Sequence, residues 1–359
     1  MLHALIMAGG GGTRFWPRSR QGRPKQFLAL GSERTLLQLA WDRIATAISA
    51  ERTWVITAER HCELVARQLP ELLGDQIIGE PCGRDTAACI ALGAGLIARQ
   101  DPAAVMLVMP ADHLIEPAGD FCRAVQVAAE LALERADALV TFGIVPTFPA
   151  TGYGYIQRGA PVLERDRISV YQVQSFREKP KADVAERFFS SGEYFWNSGI
   201  FVWKAATILA ALHDRQPGLW AAVNRIVDAW PTTARNTVFK HEYEGLARIS
   251  IDYAVMEQAS NVLVVKAPFR WDDVGSWLAL ERMHPRDSDG NTVMALHEGI
   301  QTKNCVIVAD PGHLVATAGV QDLLIIQDGN ATLVAARSEE GNIKQLVESL
   351  KKKNLERYL

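Results

Sequence analysis

Short apolar runs, many of them β-branched, alternate with longer amphipathic stretches from the start of the chain to about Ile144. Leu2–Ala8 and residues 53–57, 77–79, 105–109 and 138–144 read as strands, with residues 35–48, 61–73, 86–99 and 121–134 as the helices between them. A strand that is apolar along its whole length is buried on both faces. Strands of that kind separated by helices predict βαβ units and an α/β fold, with a mostly parallel sheet covered by helices. Such sheets bind ligands beyond the carboxyl ends of their strands. Two loops fall at those ends, residues 8–14 after the first strand and residues 110–113 after the strand ending at Met109.

From 151 to 273 the texture is mixed, with strands near 153–157, 171–176, 199–203 and 262–266 and helices near 182–190, 205–212 and 251–258. This stretch reads as a lobe laid over the same sheet. The polar, turn-rich segment HPRDSDGN then marks a boundary, dividing the chain into residues 1–284 and 285–359. Beyond it lie very short apolar runs at 305–308, 314–316, 323–326 and 332–335. Gly, Asn and Asp punctuate them about every nine residues, which predicts a small β-solenoid or barrel-like domain. A helix over 343–355 follows, its three consecutive lysines placed to complement the helix dipole.

Composition narrows the function. A net charge of −3 leaves no general basic surface for a nucleic-acid backbone, so no nucleic-acid partner is expected. A local basic pocket for a small phosphorylated ligand stays open. The five cysteines are scattered, with no CxxC pair, which fits neither a zinc site nor a disulfide framework and suits a reducing cytoplasm. No stretch approaches the roughly 20 apolar residues of a membrane span, and the N-terminus lacks the pattern of a signal peptide. A soluble cytoplasmic protein is expected.

The strongest chemical signal is the run Gly9, Gly10, Gly11, Gly12, Thr13, Arg14 directly after the first strand. Successive glycines let a backbone approach a polyanion and turn its N–H groups toward it, and an arginine adds a charged fork. The glycine spacing matches neither the dinucleotide fingerprint nor the P-loop. Lys25 follows eleven residues after Arg14, and Arg18, Arg20 and Arg23 crowd the same segment. In a mildly acidic chain this concentration of cations reads as a cradle for a triphosphate.

The segment MAGGGGTRFWPRSRQGRPKQFLAL resembles the signature of the sugar nucleotidyltransferases, the pyrophosphorylases, and within them the mannose-1-phosphate guanylyltransferases. The likeness continues in order through EPCGRDTA, PADH, GYGYI, REKP, WNSG, SIDY and WDDVGSW. Phe15 and Arg18 each replace a usual leucine, and Asp85 stands where an asparagine is common. The resemblance implies a Rossmann-like domain followed by a short left-handed β-helix, a homodimer, Mg²⁺ as cofactor, and GTP and mannose 1-phosphate as substrates. Another hexose 1-phosphate or another base, and a noncatalytic ligand-sensing homologue, are the alternatives.

Joining those substrates needs an oxygen of the sugar phosphate to attack the α-phosphorus as pyrophosphate leaves. A phosphate monoester is already ionised at neutral pH, so no side-chain nucleophile or base is required. The demand is electrostatic. Asp112 and Asp273 are the candidate metal ligands, and Arg14 and Lys25 the cations for the triphosphate. Gly9 to Gly12, Thr13, Gly83 and Thr86 are expected at the nucleotide, with Glu80 or Asp85 accepting from the guanine edge or else bracing the loop through Arg84. Gly152, Tyr153, Glu178, Lys179 and Asn197 are expected at the sugar phosphate. His113 is expected to be a satisfied loop histidine, and the tryptophans to be packing residues.

Overall fold

The computed structural model describes residues 1–10 and 12–359, so the phosphate contact expected of Gly11 lies outside the described residues. By their contacts the described residues form two compact units, each discontinuous in sequence.

The first unit comprises residues 1–9, 40–111 and 115–271. Its nine-stranded sheet runs in the order Ile77–Glu80, Thr53–Ala58, Leu2–Ala8, Val105–Pro110, Tyr194–Lys204, Leu139–Ile144, Val262–Lys266, Ile168–Arg177, Tyr155–Arg165. The first four strands are mutually parallel, as their apolar runs predicted, and Tyr194–Lys204 enters antiparallel between Val105–Pro110 and Leu139–Ile144. The strands of the lobe after residue 151 thus join the same sheet. Helix Asp85–Gln100 lies against Leu5, Ile56, Met106 and Val108 through an almost wholly buried face of Ala, Ile and Leu. Burial of that face drives the packing at roughly 25 cal/mol per Å² of apolar surface. Two helices not read from the sequence, Pro217–Ala229 and Arg235–Glu244, cover the same core.

The second unit comprises residues 10–39, 112–114 and 272–359. Parallel ladders of short strands, Thr292–Met294 with Val306–Val308 and Leu323–Asp328, and Leu296–Ile300 with Leu314–Ala318, stack as successive β coils. Strand Ala331–Ala336 closes one ladder antiparallel, and helix Ile343–Lys352 follows. The buried Phe15, Trp16, Leu28, Leu30 and Trp277 share one apolar core with Val306, Val308, Leu324, Ile326 and Ile343. The segment carrying the glycine loop therefore packs with the C-terminal coils and does not follow the boundary at residue 284, because its aromatic residues complete their core. Among the described residues no helix is long and apolar enough to cross a membrane.

Candidate functional site

In the second unit Gly10, Gly12, Arg14, Phe15, Lys25, Asp112, His113, Asp273 and Gly275 line one cleft of about 310 Å³. Three of the four residues expected to act on the triphosphate and metal arrive from segments far apart in sequence. Lys25 is buried, 6% exposed, and its ammonium donates to Asp112 Oδ2 at 2.8 Å and to the Asp273 carbonyl at 2.5 Å. Burial pushes the Asp112 carboxyl up, but the Lys25 ammonium and His113 outweigh it and hold the group below its ordinary range. His113 Nε2 stands 3.8 Å from Asp112 Oδ1.

Gly12 has φ +53, and a β-carbon there would come within 2.6 Å of Lys25 Cβ. Only glycine lets the loop close onto the lysine backbone. Gly10 also takes a left-handed conformation, φ +99. At Gly275 an added β-carbon would lie 2.8 Å from Asp273 Oδ2, so the missing side chain is the space in which the carboxylate sits. Thr13 and Arg14 are exposed at the end of the loop.

Among the described residues no group of three or more His, Cys, Asp and Glu could hold a metal ion. Asp112 and Asp273 in one cleft fit a hard cation of the kind that takes one or two carboxylates and completes its shell with substrate oxygens and water.

Arg18, Arg20 and Arg23 correct the sequence reading. Arg18 donates to the Ala309 carbonyl at 2.7 Å, and Arg23 to Asp328 Oδ1 at 2.6 Å. Arg20 donates to the Pro17 and Asp328 carbonyls and to Asn330 Oδ1. Their charges are met by the C-terminal coils, so they are no cradle for a triphosphate. A sequence counts the cations but does not show acceptors some 300 residues away.

In the first unit Glu80 ends its strand with its carboxyl buried, and a β-carbon built on Gly9 would lie 3.7 Å from Oε2. The Tyr243 hydroxyl donates to Oε1. Burial raises this carboxyl from 4.5 to about 7, partly offset by that hydrogen bond. Asp85 is exposed at φ +68, a conformation that Asn and Asp tolerate best, which accounts for the exchange at this position. Its Oδ1 accepts from the Thr86 N–H at 2.9 Å. Thr86 in turn accepts from the Ile251 N–H, and Gly83 is exposed. Arg84 donates to the carbonyls of Tyr243 and Glu244, so neither acidic residue braces the loop through it.

A second group gathers where the sugar phosphate was expected. Glu178 and Lys179 pair at 2.9 Å, with Lys179 held at φ +42. That ion pair raises the lysine pKa. Asn197 Nδ2 donates to Asp252 Oδ1 at 3.0 Å, while its Oδ1 accepts from the Gly199 N–H. Gly154 leaves room for Glu178, since a β-carbon would meet Oε2 at 2.5 Å. Tyr153 packs edge-on to Trp196 and Trp271 at 5.0 and 5.2 Å, and Gly152 is exposed beside it. Tyr243 and Asp252 had no role in the sequence reading. Only their place in SIDY, for Asp252, offered a signal.

Burial, with Glu178 nearby, raises Asp252 from 3.8 to about 7. Between the ordinary carboxylate range and about pH 7 the folded chain therefore keeps protons on Glu80 and Asp252 that the unfolded chain has released. Their stabilising contribution is whole below the ordinary carboxylate range and is lost as pH rises through about 7. In urea melts, Glu80→Gln should flatten the fall in unfolding free energy between about pH 5 and 7 by roughly 1 kcal/mol per pH unit. An unchanged slope would show that Glu80 is not held protonated.

Residues 3–290 match the family model described as nucleotidyl transferase, and residues 297–350 the MannoseP isomerase/GMP-like beta-helix domain. The mannose-1-phosphate guanylyltransferase of Klebsiella pneumoniae is 40% identical over 361 residues, covering 100% of this chain and 76% of that protein. The enzyme of that name from Escherichia coli K12 is 39% identical over 355 residues, covering 98% and 73%. A Thermus thermophilus crystal structure, titled mannose-1-phosphate geranyltransferase, superposes with a TM-score of 0.87 at 36% identity, covering 98% of this chain and 99% of that one. With its sheet, its β coils and its glycine-lined cleft all accounted for, the chain belongs to the nucleotidyl transferase family.

Proposed function

We propose that this protein transfers the guanylyl group of GTP to mannose 1-phosphate, giving GDP-mannose and pyrophosphate. Relatives bearing the name of that activity match the whole chain at about 40% identity. The observation that carries the chemistry is the buried Lys25 ammonium, shared by Asp112 and the Asp273 carbonyl in a cleft that Arg14 also lines. Nucleotidyltransferases of this kind generally use a divalent metal ion, and we take it to be Mg²⁺, with Asp112 and Asp273 as its protein ligands. Bound there, the ion supplies positive charge against the charge that builds on the triphosphate during displacement.

An oxygen of the ionised sugar phosphate attacks the α-phosphorus, and the bond to the β-phosphate oxygen breaks in line with it. No proton has to be moved for the attack. Lys25, Arg14 and the loop N–H groups hold the triphosphate and offset the leaving pyrophosphate's charge. Lys179 receives the sugar phosphate, and Glu178, Asn197 and the Gly152–Tyr153 backbone its hydroxyls. Guanine offers two adjacent N–H donors, and Glu80, ionised once the pH exceeds about 7, accepts them better than Asp85, whose carboxylate is exposed and bonded to its own helix.

Pyrophosphate release measured over GTP, ATP, UTP and TTP, each with mannose 1-phosphate and glucose 1-phosphate, tests the proposal. GTP with mannose 1-phosphate should give the highest kcat/KM; a higher value for any other pair overturns it. Glu80→Gln should cut the GTP over ATP preference by about tenfold or more, because one carboxylate bond to guanine becomes a repulsive N–H contact. An unchanged preference removes Glu80 from base reading.

A further inference from the structure

Resting on that reading, the geometry points to Asp328 as a positioning residue for the triphosphate cleft, acting through Arg23 on Lys25. Asp328 ends the strand Leu323–Asp328 and is 7% exposed. Its Oδ1 accepts from Arg23 at 2.6 Å, and its Oδ2 lies 3.4 Å from Arg20. Its carbonyl and the Asn330 side chain accept two further donors of Arg20, at 3.0 and 3.1 Å. Arg20 and Arg23 are joined to each other by reciprocal backbone hydrogen bonds of 3.0 and 2.9 Å. One tight turn of the C-terminal coils therefore grips both ends of the Arg20–Arg23 hairpin.

The grip has a short lever. Pro24 fixes the backbone between Arg23 and Lys25. Gly12 packs directly on the Lys25 backbone, so a shift of Lys25 shifts the glycine loop with it. The two anchors differ: the Arg20–Asp328 pair is largely out of solvent with every branch of the Arg20 guanidinium bonded, while the shorter Arg23–Asp328 pair is half-exposed on the arginine side. A surface ornament would not fill a guanidinium so completely.

The test is steady-state kinetics on the full chain carrying Asp328→Asn, Arg23→Gln, both together, and Asn330→Ala, with thermal midpoints for each. Asp328→Asn should lower kcat/KM for GTP about tenfold, since displacements of an ångström at a reacting site carry penalties of that order or more, while KM for mannose 1-phosphate moves by less than about twofold. The double variant should be no worse than Asp328→Asn, because both break one link. A kcat/KM for GTP within about twofold of the parent, or additive losses, overturns the inference. Should Asp328→Asn fail to fold, Arg23→Gln and Asn330→Ala decide it, both side chains being exposed; each should cut kcat/KM for GTP more than twofold, and neither doing so overturns it. Asp112→Asn run alongside keeps the readings apart: if it stays active, the cleft assignment fails first, whereas an inactive Asp112→Asn beside a normal Asp328→Asn sinks only the positioning role.

Discussion

Asp112→Asn and Asp273→Asn should each lower kcat for pyrophosphate release about a thousandfold at saturating substrates, the scale of losing one preorganised electrostatic partner or metal ligand. An asparagine of the same shape keeps one oxygen but loses the charge that a hard cation requires. The fold should survive both changes. In Asp112→Asn the Lys25 ammonium retains the Asp273 carbonyl at 2.5 Å. In Asp273→Asn that carbonyl is untouched, and the space over Gly275 accepts an amide as readily as a carboxylate. KM for mannose 1-phosphate should stay near the parent value, because the residues proposed for that substrate are elsewhere in the chain. More than a tenth of the parent kcat in both variants would falsify the metal assignment.

What the sequence disclosed depended on how local the cause was. Leu2–Ala8 and Val105–Pro110 are legible because strands buried on both faces are apolar almost throughout, His3 being the one polar residue in the two. The hairpin Tyr155–Arg165 with Ile168–Arg177 extends past the strands expected at 153–157 and 171–176, since residues 158–165 are only partly buried and include Arg, Gly, Pro and Glu. The helix expected over 61–73 stops at Gln68, with Pro70 restricting the residue before it. At the site, the residue types and their order pointed to Lys25, Asp112 and Asp273, and the fold brings these three into one cleft. Partners far away in sequence were not legible. Nothing near Glu80 announces Tyr243, 163 residues on, and nothing near Arg23 announces Asp328, 305 residues on. A cluster of arginines in one loop looks the same whether it awaits a phosphate or is already paired. Only the location of the carboxylates decides.

Lys25→Met is the sharpest test of how the cleft works. It keeps the stem that packs against Gly12 and removes only the charge. We expect kcat to fall by about two to three orders of magnitude, since a buried cation at the leaving group acts where water screens it least. Lys25→Arg should not restore it. The ammonium sits between two oxygens at 2.8 and 2.5 Å beneath a loop already in contact with the side chain, and a planar fork is too wide for that position. A second signature separates loss of charge from general damage. Burial raises the Asp112 carboxyl and Lys25, with His113, more than reverses this, so the pairing stabilises the fold above the ordinary carboxylate range and is lost as pH falls through the depressed value. Without the ammonium, burial is opposed only by His113 and a backbone hydrogen bond. In acid titrations followed by near-ultraviolet circular dichroism, Lys25→Met should therefore unfold at a higher pH than the parent chain. An unfolding pH equal to the parent's, or a Lys25→Arg variant with parental kcat, would mean that the ammonium does not organise the cleft.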